Sequence, residues 1–196
     1  IQKYKFNSTE RFHLEAEVTK QAYKVKETSL GDPNFVNFDL DEILSDKNIE
    51  DILNKINLNS CCDVGDLNIP AHPETIYLTV VDKDLNSVSI INSVCYVFGS
   101  GITTNKSGIL LHNRGTNFRV EHGHPNCIEG LKRPLHTIIP GMVIDKDNNA
   151  TLSYGVMGGQ YQPVGQVHVL NNMIDYGMGP QEALSFPRAF HFNNIY

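Results

Sequence analysis

Three groups of residues in this sequence have types and spacings that could do chemistry. Thr75 stands in His72-Pro73-Glu74-Thr75-Ile76, where a polar stretch passes into an apolar alternation. A threonine hydroxyl becomes a nucleophile only beside a base, and one available base is its own α-amino group, freed when the bond before it is cut. A β-branched residue opening a strand also follows from plain propensity, and position alone favours that simpler reading. Phe98-Gly99-Ser100-Gly101 and Met157-Gly158-Gly159 could let backbone N–H groups approach an oxyanion, although paired glycines also make turns. Arg114 and the Lys132-Arg133 pair could hold a carboxylate through charge-assisted hydrogen bonds, or could serve in ordinary surface ion pairs.

The remaining candidates are weaker. His122-Gly123-His124-Pro125-Asn126-Cys127 contains zinc-ligand types but no third ligand at a regular spacing, so a loop is expected there. His136, His168 and His191 are expected as hydrogen-bonded histidines rather than bases. GxSxG, HExxH and phosphate-loop patterns do not occur.

The elements that must position these residues follow from periodicity and punctuation. Ser8 to Lys26 offers an N-cap and a Phe12, Ala16, Thr19, Ala22, Tyr23 stripe, which predicts an amphipathic helix with that face inward. Gly31-Asp32-Pro33 breaks it, and Ile43, Leu44, Ile49, Ile52, Leu53 and Ile56 mark further helical turns. Residues 57–74 are polar, with glycine and two prolines, and predict an exposed loop of the kind where chains are cut. Beyond it Ile76, Leu78 and Val80 alternate with Tyr77, Thr79 and Val81, the pattern of a buried strand; a turn at Asp82 to Asn86 and a return over Ser87 to Ser93 complete a hairpin. Strands are also expected at Gly108 to His112, Met142 to Asp145 and Thr151 to Val156. A helix from Gly165 to Tyr176 ends at Gly177, and a short one lies around Gln181 to Ser185. This order predicts a layered α+β domain.

Composition bounds the function. With 196 residues and 40% of them hydrophobic, the chain can bury a substantial core. Sixteen Lys and Arg against 22 Asp and Glu give a net charge of -6, and the basic residues are scattered, which argues against a nucleic-acid partner. No apolar run reaches the roughly 18 residues of a membrane span, and no export signal is evident, which favours a cytoplasmic setting. Cys61, Cys62, Cys95 and Cys127 suggest reduced structural thiols. Ile1 is not a start methionine, and the sequence is expected to be a piece of something longer.

Read in order, ETIYLTVVDKDLNSVS, FGSGI, SGILLHNRG, GHPN, KRPLHTIIPGMV, YGVMGGQYQP and IDYGMGPQEALSFPR resemble the gamma-glutamyltransferase family of N-terminal-nucleophile hydrolases. ERFHLEAEVTKQAY and GDPNFV resemble the end of that family's large subunit. The resemblance implies a four-layer αββα sandwich, here partial, and a precursor that cuts itself at Glu74–Thr75. Residues 1–74 would then be the helical end of the large-subunit part with the processing loop, and residues 75–196 the small-subunit catalytic part, both incomplete at the chain ends. It further implies Thr75 as nucleophile, Ser93 as support for its amino group, and Gly158 and Gly159 as the oxyanion hole. No metal or organic cofactor is then required. The implied partners are a small-molecule amide substrate and the two segments of one precursor, with room for a higher oligomer.

The departures are informative. Where the family holds the glutamyl α-amino and α-carboxyl groups with Asn, Gln and Asp, this chain has Cys95, Arg114 and Asn117, and its serine pair is replaced by His136-Thr137. Loss of the aspartate removes the partner for a substrate ammonium, whereas Arg114 adds a cation suited to a carboxylate. With NRG, KRP-x-HT and MGG-x-x-QP, in which Gln162 and Pro163 complete the last motif, the chain looks more like the branch that includes oxamate amidohydrolase. The expected substrate is an amide of a small carboxylate, bound by Arg114, Asn117, His136, Thr137 and Gln162; glutathione-type γ-glutamyl transfer and a non-catalytic homologue are the alternatives.

Overall fold

The computed structural model describes residues 2–65, 67 and 74–191. They fall into two compact units. One draws on the segments Ile1–Ile69, Asn117–Leu135 and Asn171–Tyr196, the other on Pro70–Thr116 and His136–Leu170. Residues 66 and 68–73, which belong to the expected processing loop, lie outside the described residues.

In the first unit, α1 (Thr9–Ser29) starts where the Ser8 side chain accepts the Arg11 N–H, the cap read from the sequence. α2 (Leu40–Ile43) and α3 (Asp46–Leu53) follow, capped by Asp39 and Ser45. The inward face of α1 differs from the predicted stripe. Thr19 and Tyr23 are buried, but Ala22 is exposed, and Arg11, Glu17, Lys20 and Gln21 take the inner positions. Buried charge is costly unless paired and hydrogen-bonded, and these charges are both. Arg11 donates to Asn172 Oδ1 at 2.6 Å, Phe6 O at 2.9 Å and Glu15 Oε1 at 2.7 Å, and its guanidinium lies 4.4 Å from the Tyr176 ring centroid. Lys20 donates to Glu17 Oε1 at 2.9 Å, and Glu17 Oε2 accepts the Cys62 N–H at 2.8 Å. His13, Glu17 and Cys61 bring three metal-capable atoms within 4.8 Å of one another. The Lys20 ammonium already stands on Glu17 as its counter-ion, so a second cation would meet repulsion there.

The same unit settles the basic pair and the histidine loop. The Asp32 carboxylate accepts from Arg133 three times, from the backbone N–H at 2.8 Å, from Nε at 3.1 Å and from Nη2 at 2.9 Å. These hydrogen bonds hold the Asp32 carboxyl well below the usual carboxylate range. Arg133 is therefore spent within the fold, and Lys132 lies over the Phe35 ring. In the histidine segment, His124 Nδ1 accepts the Asn126 N–H at 3.0 Å, while the Asn126 side chain accepts from Leu135 N and donates to Asn117 O. This is loop construction, as expected.

The second unit holds both sheets. β1 (Glu74–Val81) pairs antiparallel with β2 (Ser87–Cys95), and β3 (Gly141–Ile144) with β4 (Ala150–Tyr154). Their turns are built alike. In Asp82-Lys83-Asp84-Leu85-Asn86 and Asp145-Lys146-Asp147-Asn148-Asn149, the first aspartate accepts N–H groups two and four residues on, each at 2.9 Å, and the fourth residue has positive φ. Tyr77 Oη bonds Ser89 and Ser153 at 3.1 and 2.9 Å, and Thr79 bonds Ser153, so the polar face of the hairpin turns toward β4. A Cβ on Gly155 would run into the Tyr77 ring. The opposite face, with Ile76, Leu78 and Val80, is exposed. The alternation thus identified a strand correctly, but the strand expected to be buried is open on this face.

Two element predictions change. Residues 108–112 form no ladder, only a bridge between Thr103 and Leu110, because Ser100 N–H and Oγ both turn onto Leu111 O. α4 (Gln162–Ile174) starts three residues early, since Gly159–Tyr161 forms a 3-10 turn that closes on Gln162, and Pro163 is tolerated in a first turn. α5 (Pro180–Ser185) matches. Arg11→Met in the full-length protein should lower stability by about 3–5 kcal/mol, because it leaves buried partners unpaired. A denaturant midpoint close to the wild-type value would contradict that role.

Candidate active site

The residues that the sequence singles out for catalysis lie in the second unit, and the hairpin register explains why. Glu74 pairs with Cys95 but Ile76 with Asn92, so a bulge sets Thr75 against two residues of β2, Ser93 and Val94. Ser93 is thereby opposite Thr75, and its Oγ accepts the Cys95 N–H at 3.0 Å. Cys95 is buried with φ 83, which turns the chain sharply at the end of β2. Thr75 itself is half-buried.

The glycine pair belongs to the same unit. Gly158 has φ 138, a region that an L side chain rarely enters, and Gly159 has φ 54. Together they open the 3-10 turn, and N–H groups at a helix start have no intrahelical acceptor. Their carbonyls are engaged instead: Gly158 O accepts Tyr161 N–H, and Gly159 O accepts both the Gln162 N–H and the Thr137 hydroxyl, the latter at 2.7 Å. In Phe98-Gly99-Ser100-Gly101, by contrast, the Gly99, Ser100 and Gly101 N–H groups donate to Tyr96 O, Leu111 O and Phe98 O, which leaves that segment a structural role.

Gln162 joins the two parts. Its side chain is 1% exposed. With its nitrogen turned toward the two backbone carbonyls that face it, the carboxamide donates to Thr137 O at 2.7 Å and Val156 O at 3.2 Å. Its oxygen then lies 3.3 Å from Thr75 Oγ1, where it can accept the hydroxyl proton. The opposite orientation would point the carboxamide oxygen at two carbonyl oxygens, an arrangement no donor could relieve. The sequence signal for Gln162 was only its place in a motif; nothing in spacing pointed to Thr75.

Arg114 is brought to the same end of the hairpin by its neighbour. Asn113 N–H donates to Val94 O at 3.1 Å, and Asn113 Oδ1 accepts the Tyr96 N–H at 3.1 Å. Arg114 then opens a short 3-10 turn, and its Nη2 is buried with no hydrogen-bond partner among the described residues. His136 is exposed and Thr137 buried. Asn117 belongs to the first unit, where its Nδ2 donates to Leu135 O at 3.1 Å.

The family model for gamma-glutamyltranspeptidase matches residues 1–195. The chain belongs to that family. It is 37% identical over 186 residues to the glutathione hydrolase-like YwrD proenzyme of Bacillus subtilis, which covers 92% of this chain and 34% of the relative. It is 30% identical to the oxamate amidohydrolase proenzyme of Klebsiella pneumoniae, across 90% of this chain and 33% of that protein. Among solved structures, a cephalosporin acylase from Bacillus halodurans superposes with a TM-score of 0.80 at 33% identity, covering 94% of this chain and 33% of that one. The chain spans about one third of the length of the curated relatives it matches. Its fold is the α+β fold of N-terminal-nucleophile hydrolases, represented in part.

For this gamma-glutamyltranspeptidase relative, the glycine geometry gives a direct test. Gly158→Ala places a side chain at φ 138 and 3.3 Å from Tyr161, and should destabilise the full-length protein by roughly 1–3 kcal/mol. Gly130→Ala, with no atom near its Cβ, should leave the denaturation midpoint unchanged. Equal effects from the two would remove the case for a conformational requirement at Gly158.

Proposed function

We propose that the full-length protein is an autoprocessing amidohydrolase that cleaves an amide of a small carboxylate, of the oxamate kind. Cutting Glu74–Thr75 frees the Thr75 amine. Thr75 Oγ1 attacks the substrate amide carbon, and the amine takes the hydroxyl proton. The Gly158 and Gly159 N–H groups face the tetrahedral oxyanion. As the C–N bond breaks, the amine returns the proton to the departing nitrogen, which leaves as ammonia. Water then hydrolyses the threonine ester, and the carboxylic acid departs. Ser93, opposite Thr75 in the bulge, supports the new terminal amine.

The observation that carries the substrate class is Arg114 Nη2, buried without a partner among the described residues. An unmet guanidinium donor is costly, and a substrate carboxylate satisfies it with a charge-assisted bond. His136 and Thr137 would complete the substrate contacts within the second unit, with Thr137 acting through the Gly159 carbonyl. Glutathione-type hydrolysis is the second reading, favoured by the glutathione hydrolase-like name of a 37% identical relative. The absence of an aspartate at position 117 weighs against it.

Intact-mass measurement on the full-length product should find two pieces divided before Thr75, and one undivided chain for Thr75→Ala. A wild-type chain that stays whole on prolonged incubation rejects the nucleophile assignment. For substrate, the processed enzyme should release ammonia from oxamate-like amides faster than it cleaves a γ-glutamyl anilide. Arg114→Gln should lower kcat/KM for the carboxylate amide about 10- to 100-fold, the worth of a hydrogen bond to a charged group. The reverse substrate order would restore the glutathione reading.

A further inference from the structure

The precursor poses a problem that the mature enzyme does not. Before cleavage the Thr75 nitrogen is an amide, planar and non-basic, so it cannot orient or deprotonate its own hydroxyl. Threonine is stiff about χ1, yet three staggered positions remain, and attack on the carbonyl carbon of Glu74 needs one with Oγ1 gauche to the Thr75 nitrogen. Some other group must select it.

We propose that Gln162 is a positioning residue for the precursor's own cleavage, its carboxamide oxygen holding the Thr75 hydroxyl in the rotamer that faces the Glu74 carbonyl. The inference rests on Thr75 being the nucleophile. Three features single out Gln162 for the task. Its side chain is fully enclosed, so water does not compete for the contact. Its nitrogen is clamped by Thr137 O and Val156 O, which fixes where the oxygen points. The contact at 3.3 Å joins it to Thr75 Oγ1 itself. A carboxamide is not a base, so it orients the hydroxyl without removing its proton.

The step balances within the chain. Thr75 Oγ1 bonds to the Glu74 carbonyl carbon, the Glu74–Thr75 C–N bond breaks, and the hydroxyl proton ends on the released amine. Water then hydrolyses the ester, leaving a Glu74 carboxylate and a free Thr75 hydroxyl. The clamp also reaches the glycine turn, because Gly159 O accepts both the Gln162 N–H and the Thr137 hydroxyl whose own carbonyl takes the Gln162 side chain. Nucleophile and oxyanion donors are therefore referred to one buried group.

After cleavage the new amine takes over the hydroxyl, so the role of Gln162 is read on cleavage itself, and a pH profile separates positioning from general support of the fold. The test follows cleavage of full-length wild type, Thr75→Ala, Gln162→Met and Gln162→Glu by intact mass over time and across pH. Gln162→Met keeps the volume and loses the contact, and should slow cleavage about 10- to 100-fold, the scale of a misaimed nucleophile. Gln162→Glu can hold Thr75 and one carbonyl only while protonated, so its cleavage should slow as pH rises, a dependence that wild type lacks.

Gln162→Met cleaving at the wild-type rate overturns the proposal. Should Gln162→Met fail to fold, the Gln162→Glu pH profile decides: one parallel to wild type overturns it. An uncleaved wild type would instead reject Thr75 as nucleophile and this inference with it, whereas normal cleavage of wild type and Gln162→Met alike, abolished in Thr75→Ala, rejects only the role of Gln162.

Discussion

A carboxamide sealed from water must find partners for both of its ends, and much of the second unit is arranged around that demand at Gln162. Its nitrogen draws Thr137 O and Val156 O together, and its oxygen is left for Thr75. Because the residue also closes the 3-10 turn on Gly159 O, its backbone and side chain act on the same glycine pair from two directions. Rearranging any member of the ring would leave a buried polar atom unmet, at a cost of about 1–3 kcal/mol each. That penalty gives the site its rigidity more than any single bond does.

The first unit applies the same rule to charge. Arg11, Glu17 and Lys20 occupy the inner face of a helix where an apolar stripe would suffice for packing. Their partners make the placement tolerable, and the geometry is specific: a guanidinium sharing three acceptors and an aromatic face accepts one arrangement only. Asp32 and Arg133 repeat the principle between segments about a hundred residues apart, with a backbone N–H added to the bidentate pair.

Arginines in this chain therefore divide by what their donors meet. Arg133 is consumed by Asp32, and Arg11 by Asn172, Phe6 and Glu15. Arg114 keeps a buried nitrogen without a partner among the described residues, at the end of β2 where the bulge sets Thr75. Residue type alone ranked Arg114 and the Lys132-Arg133 pair together, and only the resemblance to the family singled out Arg114.

Local pattern was enough for most elements. Ser8 as a cap, the hairpin after Glu74 with its turn at Asp82 to Asn86, and the short C-terminal helix depend on neighbours within a few residues, and periodicity and propensity report those directly. Ordered motifs were enough for the family and for Thr75, Ser93 and the glycine pair as candidates. Tertiary structure alone decided the charged inner face of α1, the open side of the hairpin, the loss of a strand at 108–112 and the link from Gln162 to Thr75. Each of these turns on which distant group supplies a hydrogen-bond partner or covers a surface. A pattern of nearby residues carries no record of a partner 87 positions away.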